Sequence, residues 1–220
     1  MMQSRFLPAT LAALAASFAL GCGSVPPAAT PENPLKGGEG IHWPTQYEPK
    51  DAGFFVHNAI DVDAPPEVVW EILIRAEEWP RWYEGAQDVR VEGSPTGLLH
   101  EGASFSWSTM GLDFTSTVKE LVPNQRLSWE SRKSTIKGYH AWLITPTRTG
   151  CRVVTEESQH GFLTTMQKIF VPQKLRRLHD VWLAEMKRLA ETKAAGADAR
   201  RAARSETKAE EGGDARRELH

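Results

Sequence analysis

Cysteine is almost absent: among 220 residues only Cys22 and Cys151 carry a thiol, so no framework of several disulfides can organise the fold. A charge excess of one sign is missing too. The formal net charge is −2, which leaves no basic footprint of the kind phosphate recognition requires, and nucleic acid is not expected as a partner. The chain has no His-Glu-x-x-His, paired-cysteine motif, phosphate loop or nucleophile elbow. Gly37-Gly38-Glu39-Gly40 lacks the strand and helix a phosphate loop needs, and His57, His160 and His179 are scattered along the sequence. Metal binding is therefore not expected, and no cofactor is assigned. What the sequence does contain is tryptophan, eight in all. Each brings a large apolar area and one N–H that needs a partner, which points to a heavy core or a lined cavity.

The N-terminus has the shape of a signal peptide. Arg5 precedes an apolar, Ala-rich run from Phe6 to Leu20 that is too short for a stable transmembrane span. Ala19-Leu20-Gly21-Cys22 resembles the bacterial lipobox, and that resemblance implies cleavage before Cys22 and lipidation of its thiol. The other reading is an ordinary secretory signal with an incidental cysteine. Residues 1–22 are assigned to this signal, and the expected location is the bacterial cell envelope, lipid-anchored and facing the periplasm or exterior. Cys151, in a strand-like run, reads as a small buried hydrophobe.

Residues 23–53 are rich in Pro, Gly and Ala (VPPAATPENPLKGGEG) and read as a tether and lead-in loop. Residues 191–220 are dominated by Ala, Arg, Lys and Glu with almost no large apolar side chain, so a disordered tail or a frayed helix extension is expected. Between them, 54–190 form the single domain. Phe54 to Val62 reads as a strand, and Asp63-Ala64-Pro65-Pro66-Glu67 opens a helix buried through Val69, Ile72 and Leu73. A second short helix follows around Glu77 to Tyr83. Six strand-like runs come next: Asp88–Glu92, Ala103–Met110, Phe114–Val122, Arg126–Lys133, Tyr139–Thr145 and Arg152–Gln159. Leu175, Leu178, Trp182, Met186 and Leu189 then recur at helical spacing, with Pro172 expected to start or kink that helix.

IDVDAPPEVVWEIL followed by WPRW, then VKELVPNQRLSWES, then GYHAWLITPTRTGCRVVTEESQHG resemble, in order and spacing, the polyketide cyclase/dehydrase type of the START-like SRPBCC superfamily. The resemblance implies an α+β helix-grip fold, in which a curved antiparallel sheet of about seven strands wraps a long C-terminal helix. It also implies a cavity for an apolar molecule between sheet and helix. It does not name the ligand, because fold alone does not decide function.

Strand alternation sorts the side chains into two faces. Phe105 and Trp107 share one face, as do Phe114, Ser116 and Val118, and Leu127 and Trp129. With Trp142 and Thr155, the expected lining is Phe105, Trp107, Phe114, Ser116, Trp129, Trp142 and Thr155, around a cavity of roughly 300–1,000 Å³. The competing reading is a packed core. On the last hairpin His140 falls opposite Glu157, although a slip of one residue would bring Glu156 there instead. A buried His beside a carboxylate can stay charged near neutral pH and move a proton, or it can simply fix the register. Two functions follow as expectations. One is an envelope-anchored protein, expected to be monomeric, that binds or transfers a hydrophobic small molecule or lipid and touches the membrane through its anchor. The other is a cyclase- or dehydratase-like enzyme using His140 and Glu157 as acid and base. A filled interior would instead favour an interaction module.

Overall fold

Polar and apolar residues alternate along seven runs, and a computed structural model describing residues 40–217 joins those runs into one antiparallel sheet. The elements are β1 (Phe54–Val62), α1 (Pro66–Ile74), a 3-10 turn (Ala76–Arg81), β2 (Gln87–Val91), β3 (Ser104–Thr109) and β4 (Leu112–Val122). They continue with β5 (Arg126–Lys133), β6 (Ile136–Pro146), β7 (Cys151–His160), α2 (Phe162–Phe170) and α3 (Lys174–Arg217). The sheet order is β1-β7-β6-β5-β4-β3-β2, so the first strand of the domain pairs with the last. The expected signal sequence, Cys22 and the expected tether as far as residue 39 lie outside the described residues.

The fold is the expected α+β helix grip, with a curved sheet and a long C-terminal helix. Pro66 occupies the first turn of α1, where its missing N–H costs nothing, and Val69, Trp70 and Leu73 give the helix its buried face. Trp79 then folds back, its indole N–H donating to the Leu73 carbonyl at 3.0 Å. From there the interior is built of rings in mutual contact. The Trp79 and Trp182 centroids are 5.0 Å apart, Trp142 and Trp182 5.1 Å, and Tyr83 stacks on Trp182 at 4.3 Å. Trp79, Trp129, Trp142 and Trp182 are all fully buried.

Two features depart from the sequence reading, and a third is the helix extension that it allowed for. An additional helix, α2, follows Gly161, whose φ of +120° favours glycine and whose hydrogen faces the Thr135 carbonyl, where a Cβ would stand only 2.5 Å away. The lead-in is not all tether. Trp43 and Tyr47 pack on Tyr139 from the outer face of the sheet, and the Tyr47 hydroxyl donates to the buried Glu130 carboxylate at 2.7 Å. That outer layer explains why almost all of β6 is buried on both faces. Finally, α3 runs without a break through Glu191, because its side chains still find partners there. Glu191 accepts the Asp63 backbone N–H at 2.9 Å, Lys193 pairs with Glu71, and Ala194 packs on the core.

Two stability outcomes follow. Tyr47→Phe removes a hydrogen bond to a buried, charged acceptor and is expected to cost about 1.5–3 kcal/mol in urea unfolding; an unchanged midpoint would mean the lead-in is only laid on the sheet. Truncation after Arg200 is expected to leave the thermal midpoint unmoved, whereas truncation before Glu191 lowers it by several degrees, because only the latter removes the docked turn.

Candidate functional site

The β6–β7 pairing decides which side chains meet under α3. His140 lies directly opposite Glu157, as the unslipped register requires, while Glu156 points to the other face and places Oε1 2.7 Å from His57 Nδ1. Nδ1 of His140 stands 3.4 Å from Oε2 of Glu157. A third group completes the cluster from the helix: Nε2 of His179 lies 3.3 Å from the same oxygen. The two imidazoles stack at 4.7 Å with 25° between their planes. The sequence reading set His179 aside as scattered. The signal for it was periodicity, since His179 falls four residues after Leu175 and three before Trp182, on the stripe of α3 that is in fact buried. Of the expected stripe, Leu175, Trp182 and Met186 are buried on that face, whereas Leu178 and Leu189 lie one residue off it and are only half-buried.

The outer sides of these groups are held as well. Nε2 of His140 is 2.7 Å from the Thr155 hydroxyl, and the Gln159 amide donates to Oε1 of Glu157 at 2.6 Å. Gly138, two residues before His140, leaves room for the carboxylate, since a Cβ there would stand 3.2 Å from Oε1. Burial pushes the His140 imidazole down to about 3, and His179 adds to that shift; the attraction of Glu157 does not offset them. Burial alone would raise Glu157, but the hydrogen bond from His179, the neighbouring imidazoles and the Gln159 amide hold its carboxyl below the usual range. Of the two directions the sequence left open for His140, the downward one holds: desolvation outweighs the attraction of Glu157, and the charged imidazole is disfavoured beside a carboxylate that its donors keep acidic. Each of the three residues offers one ligand atom, all within 4.8 Å of one another, so together they could hold a metal ion.

A narrow cleft of about 40 Å³ opens onto this cluster, and its walls include Trp107, Phe114, Trp129, Tyr83, Trp182 and Leu178. That is far below the range expected for a drug-sized ligand. The reason is aromatic interdigitation: Phe105 and Trp142 do not line the cleft but are packed into the core against Trp129. Ser116 is committed to the Trp107 indole N–H at 2.9 Å and to Ser131 at 2.7 Å, and Thr155 holds His140. The larger space lies outside. A groove of about 520 Å³ runs along Gly85, Gln87 and the β3–β4 turn and shares Thr109, Met110 and Leu178 with the inner cleft. Met110 sits at the tip of that turn with φ of +56°, an uncommon conformation for a residue with a bulky side chain.

A curved antiparallel sheet gripping a C-terminal helix, with a cleft between the two, defines the helix-grip class of α+β protein. Within it, the family described as polyketide cyclase / dehydrase and lipid transport matches residues 55–191, more than half of the chain, and the chain belongs to that family. Among solved structures it is similar to a hypothetical protein of Helicobacter pylori (24% identity, TM-score 0.64, covering 74% of this chain and 99% of that one). It is also similar to the di-domain ARO/CYC StfQ of the steffimycin biosynthetic pathway (15% identity, TM-score 0.53, covering 64% of this chain and 52% of that one). A Nitrosomonas europaea protein matches at 17% identity and TM-score 0.50, covering 66% of this chain and 99% of that one. These likenesses establish the fold. No curated protein matches the chain.

Proposed function

We propose that this is an envelope-anchored binding protein for a small amphipathic molecule, which lies in the outer groove and threads a slender apolar part tipped by an oxygen past Met110 and Leu178 toward His140. The observation that carries this reading is the continuity of the two spaces: a groove of about 520 Å³, of ordinary ligand size, shares its inner wall with an aromatic cleft ending on a polar cluster. The surface beside it supports exchange with a membrane. Phe162, Ile169 and Phe170 of α2 are 69%, 63% and 68% exposed, which is unusual for side chains of that size. From Gly161 to His179 the sequence has Lys168, Lys174, Arg176 and Arg177 and no acidic residue. Apolar side chains framed by cations suit an anionic lipid surface, and Gln167 on the same helix reaches the cleft wall. The cyclase or dehydratase alternative is the weaker reading, because His140 and Glu157 are already engaged with Thr155, His179 and Gln159. Lipidation at Cys22 would hold the domain within reach of the bilayer.

Native mass spectrometry of protein released from its host's membranes is expected to show one amphipathic molecule bound, and Leu178→Trp, which plugs the junction of groove and cleft, is expected to lose it. A wild-type protein that carries nothing, and takes up nothing from lipid vesicles, would overturn the binding reading. The anchor is tested separately. Cys22→Ser is expected to move the protein out of the membrane fraction; if the unmodified, still membrane-bound form persists in both wild type and variant, the lipidation reading fails.

A further inference from the structure

We infer that His140, Glu157 and His179 form a binding site for a divalent first-row transition-metal ion, held through Nδ1 of His140, Nε2 of His179 and Oε2 of Glu157. The first support is distance. A charge-assisted N–H···O contact closes to about 2.7–2.9 Å, and the His57–Glu156 pair on the other face of the same two strands does close to 2.7 Å. The contacts to Glu157 stay open at 3.4 and 3.3 Å. Those two edges match the spacing between ligands around a tetrahedral ion, about 3.3 Å for bonds of about 2.0–2.1 Å, and the two imidazole nitrogens that make the third edge lie within 4.8 Å of each other.

The second support is the arrangement around the three ligands. A ligating imidazole is ordinarily oriented by a partner on its other nitrogen, and a ligating carboxylate by a donor on its other oxygen. Here Thr155 stands at the remote nitrogen of His140 at 2.7 Å, and Gln159 donates to the remote oxygen of Glu157 at 2.6 Å. Gly138 keeps the carboxylate free to turn toward the ion. The ligands come from β6, β7 and α3, so the sheet and the helix clamp the site from two sides. The third support is space. The cleft that the three residues share is about 40 Å³, enough for an oxygen ligand beside the ion, since about 10–15 Å³ of such space holds a water. Three protein ligands with one position open to a cleft is the pattern of sites where the ion meets an exogenous oxygen. Two imidazoles and one carboxylate suit Zn²⁺ or Fe²⁺ and are a poor set for Ca²⁺ or Mg²⁺, which prefer all-oxygen shells.

This inference stands without the apolar ligand, and its test uses metal alone. Full-length protein stripped with a chelator is titrated with Co²⁺, read by its visible ligand-field bands, and with Zn²⁺, read by calorimetry. One equivalent is expected to bind, with the intense bands of a four- or five-coordinate ion. His179→Ala and Glu157→Gln are each expected to abolish the bands and weaken Zn²⁺ by at least about 100-fold, and Thr155→Val to weaken it by about 10–100-fold. His57→Ala, on the other face, is expected to change nothing. Wild-type protein giving no bands and no heat would overturn the inference, as would bands that survive unchanged in His179→Ala. Should that variant fail to fold, undiminished affinity in both Thr155→Val and Gln159→Leu would overturn it equally.

Discussion

The carboxylate of Glu157 sits on the concave face of the sheet beneath α3, and the partial burial of that one charge constrains much of what surrounds it. An ionised carboxylate taken out of water costs several kcal/mol unless its lone pairs are answered. Gln159 answers one oxygen; the other is shared by imidazoles from β6 and from α3. The register of the β6–β7 hairpin and the rotation of α3 about its own axis are therefore tied to one atom. A slip of one residue in the hairpin would carry His140 to the other face, and turning α3 by one residue would replace His179 with Leu178 or Asp180. Either move leaves a buried charge unpaired.

Tryptophan fills most of the remaining space. Trp79, Trp107, Trp129 and Trp182 meet edge to face or tilted, at centroid distances from 5.0 to 6.4 Å. Such packing favours a single arrangement, because planar rings of this size cannot slide past one another without opening voids. The interior is thereby divided into a dense aromatic half near α1 and the 3-10 turn and a narrow, aromatic-walled cleft that ends on a polar cluster near β6, β7 and α3. The generous cavity anticipated from strand alternation does not arise. Alternation reports which face a side chain takes, but not whether facing rings stand apart or interlock.

That distinction marks how far the sequence could be read. The strands were legible because Phe105 and Trp107, Leu127 and Trp129, and His140 and Trp142 alternate with residues of the other face, and the hairpin register followed from its turn. The outer layer was hidden because Trp43 and Tyr47 lie in a stretch whose Pro and Gly content dominates any local pattern. Their target, Tyr139, is far away in sequence. α2 was missed because FLTTMQKIF packs on the domain chiefly through Thr164, with Phe162, Ile169 and Phe170 left outside, so its apolar spacing carried no core-facing period. His179 was missed for the opposite reason. It occupies a core position perfectly in period, but a polar residue on an apolar stripe reads as an exception until the strand partner beneath it is known.

The family relationship and the cleft can be reconciled by asking what the polar cluster prevents as well as what it does. In a helix grip, the apolar course between sheet and helix is the natural path for a hydrophobic molecule, and here that path ends on Glu157, His140 and His179. A purely hydrocarbon occupant reaching this point would strip the carboxylate of its remaining polar surroundings and gain nothing in exchange. An occupant with an oxygen at its leading end meets donors or an ion instead, while its apolar remainder lies along Trp107, Phe114 and Leu178. On the proposed binding reading, selection against plain hydrocarbons would come from the desolvation cost of this largely buried charge, and selection for a polar-headed molecule from the same charge. On that reading the aromatic walls would set the width of what can follow the head, and the outer groove how much of the molecule stays behind.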